Sequence, residues 1–167
     1  MTGRPVTIRP ATNDDVEVLT ELYQDGARHH ESIDPVVHEV PEHVAAVERI
    51  RTKLSDDAKA VFLAESEGQA VGFVEIELVP VAVGSILRPN PTGRIGIAVR
   101  ADERGRGIGT ELMHFAERWA IEQHRTVMIL DVSAANDGAL RFYERLGYRT
   151  YGLLLRKSLE IDGTDLD

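Results

Sequence analysis

A chain of 167 residues suits one domain that buries roughly 70% of its unfolded surface, and 43% apolar with 28% charged residues is typical of a soluble globular protein. The net charge of −9 argues against nucleic-acid binding and would attract a cationic substrate such as an amine. The absence of cysteine excludes disulfides, thiol catalysis and thiolate metal sites. No stretch approaches the ~18 apolar residues of a membrane span, and the N-terminus lacks a signal-peptide core, so we expect a cytoplasmic protein.

The N-terminal third predicts one strand followed by two helices. Residues 6–9 alternate apolar and polar, which indicates a strand. Thr12 with Asp15 three residues later resembles a capping box. The first helix then follows as an apolar stripe, formed by Val16, Leu19, Leu22 and Tyr23. Residues 25–41 contain Gly26 and two prolines and predict a loop, after which Pro41 suits the first position of a second helix.

The middle of the chain predicts two strands and a long loop. Residues 60–64 and 70–79 read as strands joined by a tight turn at 67–69. The even positions of the second strand are apolar, whereas its odd positions include Glu75 and Glu77. Residues 84–93 contain Pro89 and Pro91 and are too many for a bare turn, so we expect this loop to line a binding cleft.

The C-terminal half predicts strands at 95–99, 127–132 and 151–155, with helices at 108–123 and 137–146. The element order is therefore β-α-α-β-β-β-α-β-α-β, an α/β (α+β) fold with a mixed central sheet. A doubly wound dinucleotide fold would alternate strand and helix from its start. We expect a single domain over 1–160 and an acidic tail over 161–167.

The segment from Arg104 to Gly109 (Arg-Gly-Arg-Gly-Ile-Gly) links a predicted strand to a predicted helix. Its glycines allow a ligand to lie against main-chain N–H groups, and a helix N-terminus attracts anions. Arg104 and Arg106 add two positive charges, so the segment is suited to a phosphate group. A P-loop would need Gly-Lys-Ser/Thr here, and the dinucleotide fingerprint would need glycine where Thr110 stands, although Asp131 imitates its ribose-binding acid.

Three motifs resemble the GNAT superfamily of acetyl-CoA-dependent N-acetyltransferases. Residues 8–15 look like its first strand and helix cap, and residues 104–109 match its R-x-x-G-x-G loop. Residues 136–148 are similar to its motif N-x-x-A-x-x-x-Y-x-x-x-G-[FY]. The resemblance implies the GNAT fold, acetyl-CoA as co-substrate without a metal, and a small-molecule or peptide primary amine as acceptor. Homodimers are common in this family.

The resemblance also implies roles for individual residues. The backbone of Ile97 and Val99 would pair with the pantetheine arm of the cofactor. The main-chain N–H groups of one loop would hold the pyrophosphate, namely those of Arg104, Gly105, Arg106, Gly107, Ile108, Gly109 and Thr110. Asn136 would contact the cofactor or fix the nearby backbone, and Tyr143 would act as the general acid at the acetyl-CoA sulfur. The amine would attack the thioester directly in a ternary complex, and the alternative is a non-catalytic acyl-CoA-binding module of the same fold.

The identity of the general base stays open at this point. Many relatives carry a carboxylate on the strand before the glycine loop, but here that strand offers only Ile95, Gly96, Ile97 and Ala98. The candidates are Asp131, then Glu75 or Glu77, and then a water chain without a dedicated base.

The region that contains His29, His30, His38 and His43 commonly shapes the acceptor site in GNAT enzymes, but surface or packing roles are the default for these histidines. Arg88 and Arg94 flank the proline-rich loop and could meet an anionic group of the substrate.

Overall fold

The computed structural model describes residues 5–81 and 90–157. Nine main elements occur in this part: β1 (Thr7–Pro10), α1 (Val16–Ile33), α2 (His43–Leu54), β2 (Lys59–Ser66), β3 (Gln69–Val79), β4 (Thr92–Val99), α3 (Ile108–Glu122), β5 (Val127–Ile129) and α4 (Asp137–Arg145). Most of the predicted cleft-lining loop, with Arg88, and the predicted acidic tail of 161–167 lie outside the described residues. Among the helices that the structure describes, none is both long and apolar enough to cross a membrane.

The five strands form one mixed sheet in the order β1-β2-β3-β4-β5. The first four strands are antiparallel neighbours, and β5 is parallel to β4. Each face of the sheet carries its own core: Val74 and Ile76 of β3 pack towards α3, whereas Phe73 packs towards α1 and α2. The alternation predicted for β3 is confirmed, and it places Glu75 and Glu77 on the α1–α2 face.

Helix α1 is longer than the sequence predicts, because it continues through Gly26 to Ile33 where we expected a loop. A glycine inside a helix costs about 1 kcal/mol relative to alanine. Close packing does not require this glycine, since a Cβ at position 26 would lie 3.5 Å from the Cβ of Ala98, an ordinary contact distance. Burial of the stripe that includes Leu19 and Leu22 offsets the cost. Helix α2 begins at His43, so the prediction that Pro41 is its first residue is wrong by two positions.

The C-terminal part departs from the prediction in two ways. The strand expected at 127–132 forms only over Val127–Ile129 and is half exposed rather than buried. The strand expected at 151–155 does not form: residues 151–157 have no regular secondary structure, and four of their apolar side chains are exposed, Tyr151, Leu153, Leu154 and Leu155. Strand propensity takes effect only where a neighbouring strand supplies pairing, and within the described ranges nothing pairs with the outer edge of β5.

Candidate active site

Strands β4 and β5 separate after a short stretch of pairing. Only Thr92–Arg94 of β4 pairs with Val127–Ile129, whereas β4 stays paired with β3 as far as Val99. From Ile95 to Val99, the edge of β4 that faces β5 therefore has no strand partner in the part of the chain described. An unpaired edge offers free N–H and C=O groups to an extended ligand. Ile97 and Val99, predicted to pair with the pantetheine arm, lie on this open edge.

The glycine loop ends at the first residue of α3. Gly105 and Gly107 have φ angles of 76° and 89°, which side-chained residues avoid, and a Cβ on either would meet nothing within 4 Å. These two glycines therefore serve backbone conformation rather than tight packing. Across the described residues, the N–H groups from Gly105 to Thr110 donate no hydrogen bond. Six free donors at the start of a 15-residue helix are the kind of arrangement that binds anions in proteins.

Both arginines of the loop are paired with carboxylates. The Nε of Arg104 donates to the carbonyl oxygen of Val99 at 3.0 Å, and its Nη2 lies 3.4 Å from Oδ2 of Asp25. The same Asp25 oxygen accepts the N–H of Ala101 at 3.0 Å. The Nη1 of Arg106 lies 2.7 Å from Oε2 of Glu103. The positive charges of the two arginines are thus largely balanced by carboxylates, and the main-chain N–H groups remain as the principal hydrogen-bond donors of the loop.

Helix α4 carries the predicted acid to the α3 side of the sheet. Tyr143 packs against the core there, and its ring lies 5.1 Å from Phe142 and 6.0 Å from Tyr148, measured between centroids. Burial raises the pKa of the Tyr143 phenol, so the group keeps its proton at neutral pH. No hydrogen bond joins this hydroxyl to another described residue. The phenol is therefore protonated and free to donate.

Asn136 begins helix α4 and is nearly buried. Its Oδ1 accepts the N–H of Ala139 at 3.0 Å, which satisfies one of the unpaired donors in the first turn of the helix. Of the two roles predicted for Asn136, fixing the nearby backbone is thus the one that its side chain performs in this structure. Contact with a cofactor stays a prediction.

The three candidate carboxylates have different surroundings. One carboxylate oxygen of Glu75, Oε2, accepts a hydrogen bond from Lys53, while Oε1 lies 3.0 Å from the position of a Cβ on Gly96. Asp131 is 87% exposed, and its Oδ2 lies 3.6 Å from Nη1 of Arg94. Glu75 therefore faces β4 next to its open edge, whereas Asp131 is solvated. Glu77 pairs across the sheet with Arg94 in register, without an ion pair in the described structure.

Comparison with known proteins agrees with this geometry. Residues 19–148 match the acetyltransferase (GNAT) family. The chain belongs to this family. A protein of Methanocaldococcus jannaschii, named as an uncharacterised N-acetyltransferase, is 32% identical over 142 residues, which are 85% of this chain and 60% of that protein. The chain thus spans about 60% of the length of this curated relative.

Solved structures show the same GNAT fold. A variant of the BH1408 protein of Bacillus halodurans superposes with a TM-score of 0.85 at 22% identity, over 92% of this chain and 99% of that one. The aminoglycoside acetyltransferase AAC(6′)-Iy, solved with a bisubstrate analogue of coenzyme A, gives 0.71 at 21% identity over 94% and 99% of the two chains. At such identities the likeness concerns the fold, and it confirms the predicted class and mixed sheet.

Three histidines, His29, His30 and His38, lie close together near the C-terminal end of α1. The ring centroids of His29 and His30 are 6.2 Å apart, and those of His30 and His38 are 5.1 Å apart. Burial, and then the neighbouring positive charges, lower the pKa values of His29 and His30, with Arg104 among the causes for both. No group of side chains in the described ranges is arranged to hold a metal ion. His43 instead lies 3.3 Å from Glu17 at the surface.

Sequence reasoning missed one residue of the site, Lys53. Within the described residues its carboxylate partner is Glu75, and just 8% of the residue is exposed. A signal was present in the sequence: Ala46, Ile50 and Lys53 follow the i, i+4, i+7 spacing that places them on one helical face. A lysine on an otherwise apolar stripe needs a buried anion as its partner.

Proposed function

We propose that this protein transfers an acetyl group from acetyl-CoA to a primary amine by direct attack in a ternary complex. One observation carries the proposal: the open edge of β4 leads to six free amides, and the protonated phenol of Tyr143 belongs to a side chain that packs against the same core cluster as Ile97 and Val99. The open edge and the free amides suit the long arm and the diphosphate of coenzyme A. The protonated phenol can donate its proton to the thiolate that leaves.

The residues present fit coenzyme A without a metal. The amides from Gly105 to Thr110 would hold the diphosphate, since main-chain donors and the helix dipole together favour an anion. The pantetheine arm would run along the edge of β4 at Ile97 and Val99 like an added strand. Acetyl-CoA, when bound in this way, supplies the activated acetyl group.

The chemistry requires three proton transfers. An amine of pKa about 10.4 is protonated at pH 7, so exposing its lone pair costs about 4.6 kcal/mol. In the proposed reaction Glu75 accepts this proton, directly or through water, and the amine nitrogen bonds to the acetyl carbon. The bond from that carbon to sulfur breaks, and the thiolate takes the phenolic proton of Tyr143. The nitrogen gives its second proton to the phenolate of Tyr143, and Glu75 releases its proton to water, so both side chains return to their starting states.

Glu75 is better supported as the general base than Asp131. Its carboxylate reaches over Gly96, on the strand where many relatives carry a carboxylate of their own, and Oε1 accepts no hydrogen bond from a described residue. It lies on the α1–α2 face, while Tyr143 lies on the α3 face, so acid and base would approach the opening from opposite sides. Asp131 would serve only through solvent, since most of its surface is exposed.

The acceptor is proposed as a primary amine on a small molecule or peptide, and the net charge of −9 favours a cation. A homodimer and a cytoplasmic location stay predictions, the latter supported by the absence of cysteine.

The test is a thiol-release assay with acetyl-CoA and a panel of amines: neamine, spermidine, a lysine-containing peptide and free amino acids. We expect N-acetylated product, seen by mass spectrometry, from at least one of them. Tyr143→Phe should lower kcat more than tenfold with the affinity for coenzyme A within twofold of wild type. Tyr151→Phe is the control, because Tyr151 is almost fully exposed. Tight binding of coenzyme A without turnover of any amine would favour the non-catalytic module instead.

A further inference from the structure

Lys53 is a buried cation whose ammonium group joins three elements. It lies on α2, its Nζ donates to Oε2 of Glu75 on β3, and it lies 5.3 Å from the ring centroid of Tyr23 on α1. Arg49, one turn earlier on α2, lies 5.6 Å from the same ring centroid. The aromatic ring and the carboxylate together orient the ammonium group, since a cation over an aromatic face is attracted by the ring.

An ion pair between a buried lysine and a partly buried glutamate contributes little to stability by itself. Desolvation of both ions opposes their attraction, and well-packed apolar residues often stabilise a fold equally well. The asymmetry of this pair points to a further role. One oxygen of Glu75 is held by Lys53, while the other receives no hydrogen bond from the described residues and lies against Gly96.

Gly96 supplies the space for this arrangement. A Cβ at position 96 would lie 3.0 Å from Oε1, 3.1 Å from Cγ and 3.3 Å from Cδ of Glu75. A glutamate has three side-chain torsions, so its carboxylate needs an anchor to stay at one place. Lys53 is that anchor, because it fixes Oε2 and thereby aims Oε1 at the strand with the open edge.

We propose that Lys53 is a positioning residue for acetyl transfer, which holds the carboxylate of Glu75 over Gly96 so that Oε1 can accept the proton of the incoming amine. The inference rests on the role proposed above for Glu75 as the base. It assigns Lys53 no contact with substrate or cofactor, and its effect on the reaction passes through Glu75 alone.

The experiment is a double-mutant cycle of Lys53→Met and Glu75→Gln. It uses the amine of the panel that wild type acetylates fastest, with coenzyme A for binding by calorimetry. We expect Lys53→Met to lower kcat at least tenfold, with the KM for acetyl-CoA and the affinity for coenzyme A within twofold of wild type. In the Glu75→Gln background the same change should alter kcat less than twofold. Lys53→Arg should recover part of the lost kcat, because it keeps the charge.

The matched control is Lys59→Met, which removes a lysine that pairs with Asp56 at 3.5 Å outside the site. It should leave kcat unchanged. Wild-type kcat in Lys53→Met, an equal loss of kcat in both backgrounds, or a parallel loss of coenzyme A affinity would each overturn the proposal. If Glu75→Gln itself keeps wild-type kcat, the base assignment fails, and the role of Lys53 fails with it.

A second readout does not depend on turnover. In a crystal structure of Lys53→Met, we expect the Glu75 carboxylate to have left its place over Gly96, and in Lys53→Arg to have kept it. A carboxylate that stays over Gly96 without the lysine would overturn the positioning role even if no amine of the panel were acetylated. Absence of turnover in the wild-type protein would count against the proposed function only.

Discussion

Phe142 of α4 packs against Gly109 at the start of α3: the Cζ of its ring lies 3.3 Å from the position of a Cβ on Gly109. The ring of Phe142 in turn packs edge-on against Tyr143. This contact joins the turn proposed to bind the diphosphate to the helix that carries the proposed acid, so a change at Gly109 should affect both.

Gly109→Val should weaken coenzyme A binding at least tenfold and lower kcat as well. The added methyl groups would meet the Phe142 ring and the Cδ1 of Ile97, which lies 3.6 Å from the Cβ position, so α4 would have to shift. Calorimetric titration with coenzyme A and steady-state kinetics measure the two effects. Gly152→Val is the control, because a Cβ there meets nothing within 4 Å. Wild-type affinity in Gly109→Val would show that α4 does not depend on this contact.

Asp25 should matter for coenzyme A binding although it lies on α1, away from the loop in sequence. Its Oδ2 accepts from both Ala101 and Arg104, so Asp25→Ala would release the start of the loop. We expect a three- to tenfold weaker affinity for coenzyme A by calorimetry, and a loss of about 1–2 kcal/mol in the free energy of unfolding by urea.

Glu103→Ala is the comparison for Asp25, because it frees Arg106, whose side chain is half exposed. A surface ion pair contributes at most about 1 kcal/mol, so stability should hardly change. Affinity for coenzyme A should stay equal or rise, since an uncompensated arginine would then lie beside the diphosphate. Equal losses of affinity in both variants would contradict a special role for Asp25.

The raised pKa of Tyr143 predicts how its contribution depends on pH. Burial favours the neutral phenol, so the folded-state pKa lies above the ordinary value and the acid keeps its proton through mildly alkaline conditions. The ratio of kcat for wild type to kcat for Tyr143→Phe should therefore stay constant from pH 6 to pH 9. Steady-state kinetics across that range measure the ratio. A ratio that falls steadily as the pH rises from 6 to 9 would show that the phenol loses its proton at a lower pH than expected.

Asp15 should contribute to stability in a way that is lost in acid. Hydrogen bonds from Arg9, at 2.8 Å to each oxygen, lower the pKa of this carboxyl to about 2. Its folded-state pKa is below its unfolded value, so the stabilisation is complete above about pH 4 and is lost as the pH falls towards 2.

Asp15→Asn should therefore cost about 1–2 kcal/mol at pH 7, by loss of charge-assisted hydrogen bonds, and nearly nothing at pH 2. Urea unfolding of both proteins from pH 7 to pH 2 measures the difference. Asp14→Asn is the control, because Asp14 is exposed and forms no bond with Arg9. A difference between Asp15→Asn and wild type that is independent of pH would refute the ionic account.

Local sequence patterns predicted the features that depend only on residues close together in the chain. The turn before α3 needs glycines at Gly105 and Gly107 because of their backbone angles, and the helix begins at Ile108, where the apolar spacing starts. The bond from the N–H of Thr12 to Asp15 likewise follows from a spacing of three residues. The alternation along β3 is equally local, so the sequence indicated which of its side chains lie on which face.

Contacts between distant segments decided the rest. The continuation of α1 through Gly26 is stabilised by the burial of its apolar stripe, which includes Leu19 and Leu22. No strand forms at 151–155, because no strand of the described residues pairs with the outer edge of β5. The pairing of Arg104 with Asp25 and of Lys53 with Glu75 joins residues 79 and 22 positions apart. No local spacing encodes such pairs, because their energies arise only when folding brings the two charges together. The amino-acid order by itself thus predicted the family, the glycine turn before α3 and the candidate acid, and only the tertiary structure decided that Glu75 lies over Gly96 and that Lys53 pairs with it.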